Sequence, residues 1–184
     1  MAVNNAVNLV PAISGTANQI AVSQVGAAAT IALASSVINT SQPMFMAYLS
    51  ANAVNVTGDG TVYTILFDTV SINQGSSYNA GTGIFTAPIT GKYLFSSSCI
   101  AVTGTTRTAV QFQVTNTTIN YLLQYDGNSP AAIRTETFGN SIIIPMSSAD
   151  TSKIQIIVSG AVKDTTVVGA AGQVDTYFCG YLLP

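Results

Sequence analysis

The residues that could carry acid–base or metal chemistry are few in this sequence. Its 184 residues contain no histidine, seven carboxylates and two cysteines. Histidine is the commonest general base and metal ligand, so serine–histidine and cysteine–histidine nucleophilic sites cannot form within this chain. Cys99 and Cys179 lack the close spacing of a zinc site. We therefore predict no metal and no cofactor.

The only two carboxylates that lie close together in a region rich in loops are Asp126 and Glu136. A glycoside hydrolase needs two such groups facing one bond. The alternative is that both are solvated loop charges, with Asp126-Gly127 making a turn. Gly58-Asp59-Gly60 resembles part of a calcium loop but lacks further ligands at short spacing, which favours a hairpin turn. We predict that the protein is not an enzyme, with a carbohydrate hydrolase as a competing hypothesis.

Both cysteines lie in apolar runs that are typical of strands. Free cysteine behaves as a small hydrophobic residue, so two buried free thiols are the simpler interpretation. A disulfide between them is the alternative, and the sequence does not decide the redox compartment.

The composition excludes several classes of partner. Only 7% of residues are charged, against about 25% in typical proteins, and the net charge is −2. Five scattered basic residues cannot form the phosphate-binding face that nucleic acid requires. No run of about 20 apolar residues indicates a membrane span, and the first residues lack the basic start and apolar stretch of a secretory signal.

Alternating apolar and polar residues indicate an all-β protein. Thr108 to Thr115 places Val110, Phe112 and Val114 on one face and glutamines on the other. Similar runs with turn residues between them recur from Pro43 onward and predict about ten short strands. These runs are Phe45 to Ala51, Val62 to Phe67, Ile84 to Ala87, Gly91 to Val102, Thr108 to Thr115, Ile119 to Tyr125, Ser141 to Pro145, Lys153 to Ser159, Thr165 to Val168 and Asp175 to Leu183. The pattern favours a double-sheet sandwich or jelly roll.

The first part of the chain has a different organisation. Asn18 to Gln24 and Thr30 to Ser35 read as two short strands joined by a turn at Gly26. Two strands alone are marginal in water, so this segment needs a neighbour. Val37 to Pro43 is a plausible linker. We predict an attachment segment over residues 1–42 and a globular head over residues 43–184.

Two runs of the head, Gly91 to Val102 and Tyr177 to Leu183, are apolar on both faces. A strand in a monomeric antiparallel sandwich should have one polar face, so another subunit is the simplest cover. The aromatic residues could suggest a sugar-stacking platform, but on apolar strands they are more often core or subunit interface. This prediction covers Phe85, Tyr93, Phe95, Tyr177, Phe178 and Tyr181.

The segment from Tyr78 to Phe95 resembles the signature of complement C1q-like domains. The matching positions are Gly83, Phe85, Thr86, Ala87, Pro88, Gly91, Tyr93 and Phe95, and the family's last strand resembles Phe178, Gly180, Tyr181 and Leu182. The resemblance covers residues 43–184 and implies a ten-stranded jelly roll of the C1q/tumour necrosis factor type. It also implies a tight homotrimer whose inner sheet, with the long central and final strands, surrounds the three-fold axis.

The sequence departs from the family in its attachment segment and in its charge. It has no collagen-like repeat, and Ile13 to Val22 instead resembles short β-repeats of phage and other fibre proteins. Some family members bind calcium near the trimer apex, but acidic residues are sparse here and that site is not carried over.

A recognition surface is expected on loops at the exposed end of such a head. The stretch from Asn116 to Thr137 is the candidate, with ordinary loops as the alternative. The ligand-binding residues that we predict there are Tyr125, Asp126, Asn128 and Arg134.

These patterns predict a trimeric, non-enzymatic recognition head at the tip of a fibre or surface adhesin. It would bind a cell-surface glycan or protein multivalently while its N-terminus docks onto a larger assembly. The expected location is extracellular, on a cell surface or on a virion. One alternative is a secreted signalling or pattern-recognition ligand. The other is a purely structural head that only holds three chains together as a trimer.

Overall fold

Alternation of buried and accessible side chains runs through the strands of the head, as the sequence predicts. The structure is a computed structural model that describes residues 20–25, 28–33, 42–127, 132–160 and 162–184. In it, Val110, Phe112 and Val114 are all buried. Successive side chains of a strand point to opposite faces, so this run contributes one face to the core. The described residues form strands and turns and include no helix.

The chain divides into two units, Met1–Thr40 and Ser41–Pro184. In the first unit, β1 (Ile20–Val25) pairs antiparallel with β2 (Ala28–Leu33), with Ile20 opposite Leu33. The predicted pair of strands is confirmed, with bounds shifted by two residues or fewer. The turn predicted at Gly26, the linker from residue 37 to 41 and the fibre-like repeat before residue 20 lie outside the described residues.

The second unit contains thirteen strands in its described residues. These are β3 (Met44–Tyr48), β4 (Ala53–Thr57), β5 (Val62–Thr64), β6 (Thr69–Gln74), β7 (Tyr78–Asn79), β8 (Ile84–Thr86), β9 (Gly91–Thr103), β10 (Ala109–Asn116), β11 (Asn120–Asp126), β12 (Arg134–Met146), β13 (Thr151–Ser159), β14 (Thr165–Val168) and β15 (Tyr177–Leu182). The ten predicted strands are all present. Three short strands, β4, β6 and β7, were not predicted, because the alternation in β4 and β6 covers only two apolar residues each and β7 is two residues long.

The strands form two antiparallel sheets that pack as a jelly-roll sandwich, which confirms the predicted fold class. The six-stranded sheet has the order β11-β10-β13-β8-β7, with β5 also on β13. The seven-stranded sheet has the order β4-β14-β9-β15-β3-β6, with β12 on the other side of β9. The long strand β9 is therefore the centre of the larger sheet, because it pairs with β12 along its whole length and with β14 and β15.

The space between the sheets is filled by aromatic rings. Phe45 stacks on Tyr78 with ring centroids 4.9 Å apart and meets the edge of Phe178 at 4.8 Å. Phe85 contacts Phe95 edge to face at 5.3 Å. Each of these rings removes a large apolar area from water, and such pairs add about 0.5–1.5 kcal/mol beyond that burial. Aliphatic side chains such as Ile144, Ile154 and Ile156 complete the core between the two sheets.

Candidate functional surfaces

The segment that carries the family signature is a turn clamped against the core. Gly83 has φ 70, and a Cβ there would lie 2.7 Å from the Ile65 carbonyl oxygen, so only glycine fits. Phe85 and Phe95 fill the core, and the Tyr93 hydroxyl donates to the Ile89 carbonyl at 2.7 Å. The signature residues therefore define the crossing from β8 into β9 and carry no chemistry of their own.

The six aromatic residues predicted as core or interface separate into two groups. Phe85, Tyr93, Phe95 and Phe178 are buried between the sheets of a single chain. Tyr177 and Tyr181 point to the other side of β15, where Tyr177 is half-buried and Tyr181 is 41% exposed. Only these two lie where a second subunit could contact them, because the alternation of β15 sends neighbouring side chains to opposite faces.

Part of the outward side of the seven-stranded sheet is an apolar surface, which we call the apolar face. Paired residues of adjacent strands share a face, so the register of β3, β9, β12 and β15 identifies its members. They are Met44, Met46, Tyr48, Leu94, Ile143, Tyr177, Cys179 and Tyr181, with Ile72 of β6 beside them. Thr135, Thr137 and Ser141 of β12 lie on the same outward side and border the apolar face. Along these four strands the only outward charge is Lys92, which lies at the end of the face opposite Pro145. Ser96 and Ser98 lie at its centre, so β9 is less apolar on its outer side than the sequence suggests.

An apolar pocket of about 210 Å³ opens on the apolar face. Its wall is formed by side chains of β3, β6 and β15, with Gly180 at its base. The lining residues are Met44, Phe45, Met46, Ile72, Cys179, Gly180 and Tyr181. None of them carries a charge, so the pocket is suited to an aliphatic or aromatic side chain.

The two cysteines are free thiols on opposite faces of the seven-stranded sheet, which decides against the disulfide alternative. Cys99 is fully buried in the core, and burial raises the pKa of its thiol. Cys179 is half-buried on the apolar face, and burial also raises its pKa, partly opposed by a hydrogen bond from the Ser96 backbone. Thiolate is the reactive form, so neither residue has the character of a nucleophile.

Asp126 and Glu136 are not the solvated loop charges that the sequence suggests. Asp126 ends β11 and Glu136 lies within β12, and both carboxylates hydrogen-bond the guanidinium of Arg107. Arg107 is only 4% exposed, and its Nη2 lies 2.7 Å from Asp126 Oδ2. The two acids are held as partners of one buried cation and do not face a common open space.

A β-bulge decides which way the end of β11 faces. The register between β10 and β11 shifts between Phe112 and Gln113, so Leu122 pairs with Gln113 while Tyr125 pairs with Gln111. The extra residue reverses the alternation after Leu122. Tyr125 therefore points outward, where it is 58% exposed, and Asp126 points inward to Arg107.

The predicted recognition residues are consequently not one cluster. Arg134 Nη1 lies 3.9 Å from Glu136 Oε1, so Arg134 and Asp126 both belong to the ion-pair network around Arg107. Tyr125 lies on the opposite side of β11. Asn128 lies outside the described residues. Within the stretch from Asn116 to Thr137, the predicted strand Ile119 to Tyr125 is observed as β11, and β12 begins at Arg134, where a loop was expected; residues 128–131 lie outside the described residues.

The six-stranded sheet carries a row of neutral polar side chains that was not predicted as a site from the sequence. Gln113 Nε2 donates to Gln155 Oε1 at 3.1 Å, Thr115 Oγ1 donates to the same oxygen at 2.6 Å, and Gln155 Nε2 donates to Thr64 Oγ1 at 3.2 Å. We call these four residues the amide ladder. The polar positions of the alternating run Thr108 to Thr115 are the sequence signal that points to it.

The Gly58-Asp59-Gly60 segment is a turn between β4 and β5, as predicted. Both glycines have positive φ, and the backbone N–H of Thr61 donates to Asp59 Oδ1 at 3.0 Å. The hydrogen bond from the Thr61 side chain, followed by this backbone bond, lowers the pKa of the Asp59 carboxyl. In the described ranges, no three acidic or cysteine side chains come together in a way that could hold a metal ion.

The pairing order of the two sheets and the signature turn agree with a known family. The profile of the C1q domain matches residues 44–183, which is most of the chain. The chain belongs to the C1q domain family. Members of the wider C1q/TNF-like group are generally non-enzymatic recognition or signalling proteins, typically extracellular, and their domains typically form homotrimers.

Solved C1q and tumour necrosis factor domains share the fold of this C1q domain. The globular domain of zebrafish complement 1qA matches with a TM-score of 0.53 and 15% identity, over 77% of this chain and 98% of that chain. The Eiger TNF of S. frugiperda matches with a TM-score of 0.55 and 11% identity, over 78% and 93%. Murine APRIL matches with a TM-score of 0.52 and 12% identity, over 77% and 99%. At these identities the likeness concerns the fold alone.

A membrane-spanning helix of sufficient length and hydropathy is not found in the part of this C1q domain protein that the structure describes.

Proposed function

We propose that this protein is a homotrimeric, non-enzymatic recognition head at the tip of a fibre or surface adhesin. The observation that carries the proposal is the apolar face of the seven-stranded sheet. An antiparallel sheet of a monomeric sandwich normally presents polar side chains to water. Here Ile72, Ile143 and Tyr181 are 45%, 54% and 41% exposed in the single chain, and they lie on one surface with two methionines.

A second and a third copy of the chain are the proposed cover of this face. The apolar pocket and the exposed Ile143 lie towards opposite edges of the same sheet, with β15 and β9 between them. A contact between two different patches of identical chains is heterologous and closes into a ring when the rotation allows. Three-fold closure would bury both patches in every copy, in keeping with the trimers that are typical of the family.

The proposed mechanism of recognition is multivalent. Three identical sites on one rigid head raise the effective affinity for a repeated surface ligand without tight single contacts. The hairpin of β1 and β2 is too small to be stable alone, which favours docking of residues 1–42 onto neighbouring copies or a larger fibre. A cell-surface glycan or protein is the proposed ligand, and a cell surface or virion is the proposed location.

Light scattering of the intact chain at low micromolar concentration tests the assembly. One chain has a mass of 18.9 kDa, so the trimer should scatter as three times that mass. A stable, soluble species of one chain mass would contradict the proposal, whatever its ligand.

A pair of charge substitutions tests the face itself. Tyr181→Asp places a carboxylate on the apolar face, and its burial in an interface is costly, so the trimer should dissociate. Tyr125→Asp is the matched control, since Tyr125 is 58% exposed on the other sheet and should leave the trimer intact. If Tyr181→Asp fails to fold, Ile143→Asp at the opposite edge provides the second test. Trimers of folded Tyr181→Asp and Ile143→Asp would overturn the assigned interface.

A further inference from the structure

We propose that the outward side of the six-stranded sheet binds a neutral saccharide, with Tyr125 as the stacking surface and the amide ladder beside it. The inference rests on the proposed function, because it names the ligand class of the recognition head. It adds a site that differs from the predicted recognition loop, of which it retains only Tyr125.

The register of the six-stranded sheet aligns its outward side chains in two rows. One row runs from Tyr125 through Gln111 and Ile157 to Val62. The neighbouring row runs from Leu122 through Gln113 and Gln155 to Thr64. An aromatic ring and apolar side chains thus lie directly beside a line of amides and a hydroxyl. This mixture matches a sugar ring, which has an apolar C–H face and a rim of hydroxyl groups.

The amide ladder is fixed before any ligand arrives. Gln113 and Gln155 are 7% and 9% exposed and are tied to each other and to Thr64 and Thr115. Side chains that are already ordered lose little conformational entropy on binding, which favours affinity from a small contact area. The amide ladder is therefore an ordered surface beside the row that contains Tyr125.

Groups that could bind a ligand remain available on this surface. Within the described ranges, the amide of Gln111 and the hydroxyl of Tyr125 have no hydrogen-bond partner in the protein. An amide offers two donors and an acceptor, and a phenol offers one donor and accepts as well. Gln111 and Tyr125 are direct neighbours in register, so one sugar ring stacked on Tyr125 would place its hydroxyl groups next to the Gln111 amide.

The charge of the surface selects the class of saccharide. Among the outward side chains of β5, β10, β11 and β13, Lys153 is the only charged one. Recognition of sulfated, sialylated or phosphate-rich polymers relies on several cations, which this surface does not provide. The ligand class that fits is therefore an uncharged sugar.

The position of this surface in the sandwich suits a ligand site on an assembled head. It is the outer side of one layer, while the apolar face is the outer side of the other. If copies of the chain pack through the apolar face, the row with Tyr125 stays open to solvent in each of them. Three sites would then surround the trimer, as multivalent binding requires.

The test is binding of the intact protein to an array of neutral, sialylated and sulfated oligosaccharides, followed by calorimetric titration with the neutral saccharide that binds best. Tyr125→Ala should weaken binding at least about tenfold, because it removes the aromatic surface on which the sugar ring would stack. Tyr125→Phe keeps the ring and should stay within about threefold of the unmodified protein. Gln111→Ala should weaken binding, whereas Gln173→Ala, an exposed amide on a loop between β14 and β15, should not.

Light scattering on the same samples separates this inference from the proposed assembly. A trimer that binds no neutral saccharide, or only acidic ones, overturns the saccharide site and leaves the trimeric head standing. A protein ligand whose binding needs Tyr125 while no neutral saccharide binds also overturns the ligand class. A single-chain species that binds neutral sugar through Tyr125 overturns the trimer and leaves the site standing.

Discussion

The guanidinium of Arg107 lies 2.7 Å from the carboxylate of Asp126 although the two residues are 19 positions apart and belong to different elements. Glu136 of β12 binds the same guanidinium, so this network connects the loop before β10 with the ends of two strands. Arg107 is buried, and its Nε finds no partner in the described structure. The network is thus a polar centre whose stability depends on every remaining contact.

Removing one acid of the network should be costly. Glu136→Gln leaves the buried Arg107 with Asp126 as its single carboxylate, and the side chain of Asp126 is 43% exposed. We expect the free energy of unfolding to fall by about 1–3 kcal/mol, measured by urea denaturation. Arg134→Gln is the control, because Arg134 is 43% exposed and 3.9 Å from Glu136; it should cost less than about 1 kcal/mol. Equal losses in the two variants would contradict the central role of Arg107.

The turn between β12 and β13 contains a strained residue. Ala149 has φ 72, and its N–H donates to the Ala87 carbonyl at 2.8 Å, so the conformation is held by the signature segment. Ala149→Gly should raise the free energy of unfolding by up to about 1 kcal/mol, since glycine adopts this backbone without steric cost. Ala171→Gly, in a turn where φ is negative, should lower it slightly. Thermal unfolding of Ala149→Gly and Ala171→Gly, each compared with the unmodified protein, measures the two changes in stability. A destabilised Ala149→Gly would argue against strain at Ala149.

Gly180 of β15 lies against two aromatic rings of the core and leaves no space for a side chain. A Cβ there would lie 2.5 Å from Phe95 Cδ1 and 2.9 Å from Phe45 Cε1. Gly180→Ala should therefore destabilise the head by about 1–3 kcal/mol through overpacking. Gly81→Ala meets only the tip of the Asn79 side chain at 3.3 Å and should be nearly neutral. Chemical denaturation compares the two, and a neutral Gly180→Ala would show that the rings can move aside.

Alkaline pH should weaken the fold through Tyr78. Its hydroxyl donates to the Phe67 carbonyl at 3.2 Å, and burial raises its pKa above the ordinary value of 10.0. A raised pKa means that the folded state holds its proton more tightly than the unfolded state, so stability is full below pH 10 and declines as the pH rises further. Tyr78→Phe loses the hydrogen bond and should cost about 1 kcal/mol at pH 7.

The difference in free energy of unfolding between Tyr78→Phe and the unmodified protein should therefore become smaller above pH 10. The reason is that phenylalanine does not titrate, so only the unmodified protein loses this contribution to stability. Urea denaturation at pH 7, 10 and 11 gives the three differences. A difference that grows with pH would show that the Tyr78 hydroxyl does not cause the alkaline sensitivity.

The alternation of side chains in the sequence was sufficient to predict the sandwich. The run from Thr108 to Thr115 and the signature from Gly83 to Phe95 determine strands, a turn and a core face through contacts that are local in the chain. The same alternation is too short to reveal β4, β6 and β7, which span five, six and two residues. In β4 and β6 only two apolar side chains alternate with polar ones, Val54 with Val56 and Val70 with Ile72.

The sequence alone determined an all-β head of the C1q type, because period-two alternation and a glycine that must take positive φ are local requirements. Only the tertiary structure decided which side chains share a surface. The bulge opposite Gln113 turns Tyr125 outward and Asp126 towards Arg107, which reverses what strict alternation from Leu122 implies. A single extra residue exchanges the faces of a strand, and its position depends on the pairing of two strands and not on either one.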